Sequence, residues 1–144
     1  MKSIIVLNGP NLNLLGNREP EIYGTDTLLD IEKLCMKKAL ALNIQVSFFQ
    51  SNIEGELVNE IQKSKNRQDG IILNAGAYTH TSIAIMDALI ATQIPTIEVH
   101  ISNIYRRESF RHVSYISKAT IGQICGFGIY GYSMALDAII QNNL

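Results

Sequence analysis

Short apolar, β-branched runs alternate along this chain with segments of helical period, and few architectures accept such a pattern. Ser3 to Leu7 forms the first run and stops at Asn8-Gly9-Pro10, as a buried parallel strand does when it feeds a loop. From Thr27 the apolar residues Leu28, Ile31, Cys35, Ala39 and Leu42 recur at spacings of 3, 4, 4 and 3, which predicts an amphipathic helix ending near Asn43. Gln45 to Phe49 reads as a second strand. Ser51-x-x-Glu54 then has the capping-box pattern and should open a helix with Leu57, Val58 and Ile61 on its inner face. The alternation continues with a strand from Gly70 to Leu73 ending at Asn74-Ala75-Gly76, a helix from about Thr81 to Ala91, and a strand from Thr96 to Ile101 after Pro95. A strand around Thr120 to Cys125 and a helix from about Tyr130 to Gln141 complete it.

Strands joined by helical crossovers lie parallel in a sheet covered on both faces. Five of them in 144 residues fit a doubly wound, flavodoxin-like α/β fold better than a barrel, with residues 1–144 as a single domain. Composition agrees: 47 % of residues are apolar and 17 % charged, which is enough for one core and too little charge for a disordered tail. With 12 Lys+Arg against 13 Asp+Glu the net charge is −1, so the whole chain offers no field that would attract nucleic acid or an anionic membrane. The N-terminal apolar run Ile4 to Leu7 is too short for a signal-peptide core, and no run approaches a membrane span. Cys35 and Cys125 sit singly in apolar segments and read as reduced core thiols of a cytoplasmic protein.

Two connections exceed the roughly 2–6 residues usual in α/β units. Asn8 to Asp26 spans 19 residues and Ser102 to Lys118 spans 17. Both leave the carboxyl ends of their strands, where doubly wound sheets bind ligands, so they should meet over one crevice.

The chemistry-bearing residues cluster in the same places. Along Thr96 to Ile101, alternation puts Thr96, Glu98 and His100 on one face and Ile97, Val99 and Ile101 on the other. Neither Glu98 nor His100 can be buried cheaply alone, so the pair should satisfy itself, which fixes the imidazole tautomer and favours its charged form. This is either a paired polar couple at a strand end or an acid–base group at the sheet edge. In the first loop Arg18 precedes Tyr23 by five residues across Pro20. A tyrosine hydroxyl titrates at about 10, so it acts as a base only where a cation within about 4–6 Å stabilises phenolate. Arg18 is a candidate for that cation; a rim-packed aromatic beside a solvated arginine is the alternative. The second loop holds Arg106, Arg107 and Arg111 in six residues, while no Lys or Arg lies between Asp69 and Ile101. Such a run is a solvated loop face, or else a grip for a small carboxylate.

Two further patterns carry less. Gly126-x-Gly128-x-x-Gly131 matches the dinucleotide fingerprint formally, but only 13 residues follow it, so it reads as close helix–strand packing. The three histidines lack any short metal-ligand spacing, and neither metal nor cofactor is expected. His80 and Asp87, seven apart, should lie near one helix face.

Taken together, these stretches resemble the type II 3-dehydroquinate dehydratase family over essentially the whole chain. The resemblance is carried by Leu7-Asn8-Gly9-Pro10-Asn11-Leu12-Asn13-Leu14-Leu15-Gly16-Asn17-Arg18-Glu19-Pro20 through Tyr23-Gly24, by Asn74-Ala75-Gly76-Ala77-Tyr78-Thr79-His80-Thr81-Ser82, and by Glu98-Val99-His100-Ile101-Ser102-Asn103 with Arg107 and Phe110-Arg111. It implies loss of water from 3-dehydroquinate to give 3-dehydroshikimate by anti elimination through an enolate, in the shikimate route to aromatic amino acids. Tyr23 would be the base with Arg18 beside it, Asn11 would belong to the network around the enolate, and His100, held by Glu98, would be the acid. Asn74, His80 and Asp87 would bind ring hydroxyls, Ile101 and Ser102 the carboxylate, and Arg107 and Arg111 complete the grip. The resemblance also implies a homo-oligomer of trimers gathered into a dodecamer, with Asp87 reaching a neighbouring subunit's site. Met86, Ile101 and Ser109 depart from the family pattern, which touches interface detail rather than chemistry. A receiver module would need acidic residues where Asn8 and Asn74 stand, and a flavin carrier would need Ser or Thr between Asn8 and Gly16, where there is none.

Overall fold

The computed structural model describes residues 1–143. Five strands, β1 (Ser3–Asn8), β2 (Gln45–Gln50), β3 (Gly70–Asn74), β4 (Thr96–His100) and β5 (Gly122–Cys125), form one parallel sheet in the order β2-β1-β3-β4-β5. That order is the flavodoxin-like doubly wound one. The helices are α1 (Pro20–Tyr23), α2 (Leu28–Leu42), α3 (Glu54–Ser64), α4 (Ile83–Thr92) and α5 (Tyr130–Asn143).

Strand parity divides the core in two. Ile4, Val6, Ile72, Ile97 and Val99 face α2 and α5, where Ile31, Cys35, Tyr132, Leu136 and Ile139 close the layer. Ile5, Leu7, Ile71 and Leu73 face α3 and α4, against Leu57, Ile61, Ile85 and Leu89. The central strands are apolar on both sides because helices cover both sides. The same parity sends Asn8 and Asn74, paired in register, toward α5, and Glu98 and His100 toward the opposite layer.

Four local expectations are corrected. Ser51 does not cap α3: its N–H still donates to Asn8 O (3.1 Å), extending the sheet ladder, so the chain reaches the helix only at Ile53. Ser51 Oγ instead accepts from Ile53 N (2.9 Å) and donates to Glu56. The reciprocal box forms at α2, between Thr27 and Asp30. His80 and Asp87 do not share a helix, because residues Gly76–His80 wind as a 3-10 turn and α4 starts beyond it, capped by Ser82. Cys35 is a buried free thiol, but Cys125 on the edge strand β5 is only half-buried. Of the three glycines at the chain end, Gly131 does pack closely, with Val99 and Ile124 at 3.4 and 3.5 Å from where a Cβ would stand, whereas Gly126 and Gly128 serve a turn with φ of 96° and 61°.

The long loops are not structureless: 3-10 turns at Leu12–Leu14, Ile104–Arg106, Ser109–Arg111 and Ile116–Ala119 wind them down onto the sheet. Among the described residues no helix is long and apolar enough to cross a membrane. Gly9 brings the first loop against β3: its N–H donates to Asn74 O (2.8 Å), and a Cβ would sit 2.4 Å from Ala75 O. Gly9→Ala should therefore lower folding stability by about 2–3 kcal/mol, read from the urea midpoint at unchanged slope.

Candidate active site

The two long loops meet where the strands end. One crevice is lined by Asn11, Arg18 and Tyr23 from the first loop, Asn74, Gly76 and His80 from the end of β3, and His100, Ile101, Ser102, Arg107 and Arg111 from the end of β4 and the last loop. All eleven of these positions lie at or just past strand ends or on the loops that follow them, as the topology demands.

Tyr23 is the last residue of α1, a single turn started by Pro20. Its ring carries two guanidinium groups: Arg18 Cζ lies 4.6 Å and Arg107 Cζ 5.2 Å from the ring centroid. Sequence spacing pointed to Arg18; the second cation comes from the other loop, 84 positions along the chain from Tyr23. Arg107 Nη1 donates to Ser102 Oγ (3.3 Å), His112 Nε2 donates to the Arg107 carbonyl (3.1 Å), and Arg107 Nε is buried with no partner. Arg111 is steadied by Glu108, with Nε donating at 2.5 Å.

Glu98 has no exposed surface. Its carboxylate accepts from His100 Nε2, from Ser114 Oγ (3.0 Å to each oxygen), from Ser117 Oγ (2.7 Å) and from Gln123 Nε2 (2.8 Å). Burial pushes this carboxyl upward, but the hydrogen bond and charge of His100, with Ser117 and Gln123, outweigh it and hold Glu98 below the ordinary carboxylate value. With Nε2 engaged, Nδ1 is the imidazole nitrogen that Glu98 leaves free. His80 stacks on His100 at 6.3 Å between centroids and 18° between planes, and its Nδ1 donates to Val113 O (2.8 Å). Burial lowers the His80 pKa, partly opposed by that hydrogen bond, and the nearby charges of His100 and Arg111 lower it further.

Asn11 sits in the left-handed region at φ 69° with its N–H donating to Asn52 Oδ1 (2.9 Å). Asp87 is exposed on α4 and does not line the crevice. Sequence reasoning missed Ser114, Ser117, Gln123 and Tyr132. Gln123 could have been found, because β5 pairs it in register with Glu98; the others depend on how the last loop and α5 fold back. Among the described residues no group of three or more His, Cys, Asp or Glu gathers as a metal site.

Fold and crevice together define a doubly wound α/β protein whose strand ends and loops bring a histidine paired with a buried carboxylate, a tyrosine and three arginines to one crevice. The family model for class II dehydroquinases matches residues 2–140. A 3-dehydroquinate dehydratase of Dinoroseobacter shibae is 57 % identical over 136 residues, covering 94 % of this chain and 91 % of the relative. One from Endomicrobium trichonymphae is 58 % identical over 141 residues, covering 98 % and 99 %. The crystal structure of a type II dehydroquinase from Butyrivibrio crossotus superposes with a TM-score of 0.94 at 45 % identity, over 96 % of this chain and 97 % of that one. The chain belongs to the class II dehydroquinase family.

The lowered Glu98 value has a consequence for stability. Because folding favours the carboxylate, that stabilisation is full above the unfolded value of about 4.3 and is lost as pH falls through the lower folded value. Thermal melts of wild type and Glu98→Gln should thus differ most near neutrality and converge in acid; a gap independent of pH would contradict this account of the carboxylate.

Proposed function

We propose that this chain, acting as a single catalytic domain, removes water from 3-dehydroquinate to give 3-dehydroshikimate, with Tyr23 as base and His100 as acid. The observation that carries the assignment is that one crevice is lined both by a tyrosine flanked by two arginines and by a histidine backed by a buried carboxylate. The proton leaves the carbon α to the ketone for the Tyr23 oxygen, with Arg18 and Arg107 supplying positive charge beside the phenolate that receives it. The C–H electrons pass to the ketone oxygen as an enolate, toward which Asn11 offers its amide. The enolate then collapses, the carbon–oxygen bond breaks, and the departing hydroxyl takes a proton from His100 through Nδ1. Enone and water are the products, and solvent returns the proton from Tyr23 to His100. Glu98 orients the imidazole before that step.

Asn74 and His80 suit ring hydroxyls, Ile101 and Ser102 the carboxylate, and Arg107 and Arg111 supply further charge-assisted contacts. No cofactor is required, since the ketone itself acidifies the proton. Incubation with 3-dehydroquinate should produce the ultraviolet absorption of a conjugated enone; its absence would overturn the reading. Tyr23→Phe and His100→Ala should fold and each lose about 10²–10⁴ in kcat. Borohydride with substrate should leave activity intact, because none of the described residues lining the crevice is a lysine that could form a Schiff base.

We also infer a cytoplasmic homo-oligomer, with trimers gathered into a dodecamer. Ile83, Asp87 and Ile90 fall at i, i+4 and i+7 of α4, and all three are exposed. Two large apolar side chains flanking a carboxylate suit a face covered by a second copy, which would carry Asp87 to a neighbouring site. Sedimentation should give a mass that is a multiple of three chains of 16.0 kDa; a monomer would sink the inference.

A further inference from the structure

Among the described residues the mechanism leaves two fully buried titratable groups unused, the Cys35 thiol and the Tyr132 phenol. Tyr132 lies in the first turns of α5, has no exposed surface, and points its hydroxyl up beneath the floor of the crevice. The hydroxyl donates to Asn8 Oδ1 (2.6 Å) and accepts from Asn74 Nδ2 (3.0 Å). Burial pushes this phenol far above its ordinary value, so the proton stays on and the bond to Asn8 is always available. Asn8 and Asn74 are register partners at the ends of β1 and β3 and are both buried, so one phenol ties together two adjacent strand ends.

The orientation of the Asn74 amide follows from its other partner. Gly76 N–H donates to Asn74 Oδ1 (3.1 Å), so the oxygen must face Gly76 and the nitrogen Tyr132. A flip would bring two donors together at Gly76. Running from Asn74 N–H through Tyr132 O–H to Asn8 oxygen, the chain of donors has a single consistent direction. One N–H of Asn74 is thereby committed, and the side chain that lines the crevice is locked in rotation.

We propose that Tyr132 is a positioning residue: through its hydroxyl it fixes the Asn74 amide so that this side chain meets the substrate with a preset donor and acceptor. The proposal rests on the reading of Asn74 as a substrate contact. A core phenylalanine would pack as well against Cys35 and Ile139, so packing alone does not call for the hydroxyl. Its partners show what it serves, since both are polar groups at strand ends and one of them opens onto the site. Without the phenol oxygen, Asn74 Nδ2 loses the acceptor that Tyr132 supplies and the Gly76 N–H alone restrains the amide, so substrate binding must order a side chain that the folded protein now holds at both ends.

The test is a double-mutant cycle on folded enzyme, followed by enone formation from 3-dehydroquinate. Tyr132→Phe should raise KM about tenfold with kcat within about twofold, and Asn74→Ala should raise KM at least as much. Tyr132→Phe added to Asn74→Ala should then cost nothing further. A Tyr132→Phe enzyme with wild-type KM, or a double variant whose loss is the product of the two single losses, would overturn the proposal. A purely structural hydroxyl would lower the melting temperature and leave the kinetics per folded molecule unchanged, which also overturns it. If Tyr132→Phe does not fold, Asn8→Ala keeps the phenol and removes its acceptor; a KM rise of about threefold that vanishes in the Asn74→Ala background is expected, and no rise overturns the idea. Inactive wild type would fail the functional reading itself, whereas active wild type with an unaffected Tyr132→Phe would fail only this inference.

Discussion

A carboxylate with no exposed surface sits on the central part of a parallel sheet, and much of the structure above the strand ends follows from keeping Glu98 ionised there. Stripping water from a charge costs several kcal/mol even after relaxation, so a buried carboxylate persists only where donors replace its hydration. Strand β4 supplies one donor in His100 and β5 another in Gln123. The remaining two, Ser114 and Ser117, belong to the returning arm of the last long loop. That loop must therefore return across the β4 end. The same return is fastened by Tyr115 N–H on Thr79 O (3.0 Å) and by His80 Nδ1 on Val113 O, and its outward arm carries Arg107 and Arg111 into the crevice. Support of the histidine and anchoring of the arginine loop are thus one set of hydrogen bonds.

Sheet parity explains why the site has two polar foundations rather than one. Residues at strand ends alternate between layers, so Glu98 and His100 draw their partners from the layer of α4, while Asn8 and Asn74 draw theirs from α5. Each foundation is closed by residues distant in sequence: Tyr132 is 124 positions from Asn8, and Gln123 is 25 from Glu98. Neither network depends on the other for a hydrogen bond, which lets the polar floor under Asn74 and the imidazole of His100 be set independently.

These origins also explain what could be read from the sequence. The strands, the α2 period and the layer order were legible because they depend on local periodicity and on parity, which a single run of residues displays. The Glu98–His100 pair was legible for the same reason, being two residues apart on one strand. Thr27-x-x-Asp30 and Ser51-x-x-Glu54 carry the same four-residue pattern and only the path of the chain decides which of them caps a helix, while the 3-10 turn at Gly76–His80 has no such pattern to show it. Tyr132, Ser114 and Ser117 look like ordinary core or loop residues until tertiary contact supplies their partners. Arg107 beside Tyr23 was hidden likewise, since two separate loops must close before the contact exists.

The charge of the chain takes on a different meaning in this geometry. A net of −1 suggests no ligand, yet among the described residues neither Arg18 nor Arg107 makes an ion pair, and Arg107 Nε is buried without an acceptor. Arg111 alone of the three has a carboxylate partner, in exposed Glu108. Two uncompensated guanidinium groups on one tyrosine ring are unfavourable unless negative charge arrives among them. Under the proposed assignment it arrives twice, as the carboxylate of the substrate and as the Tyr23 phenolate. One cation could not neutralise both at close range, because the two anions repel each other and a single positive charge leaves one negative charge uncompensated. Under that assignment the second arginine, carried by a loop tied down at Glu98, Thr79 and His80, supplies the positive charge that a single guanidinium could not.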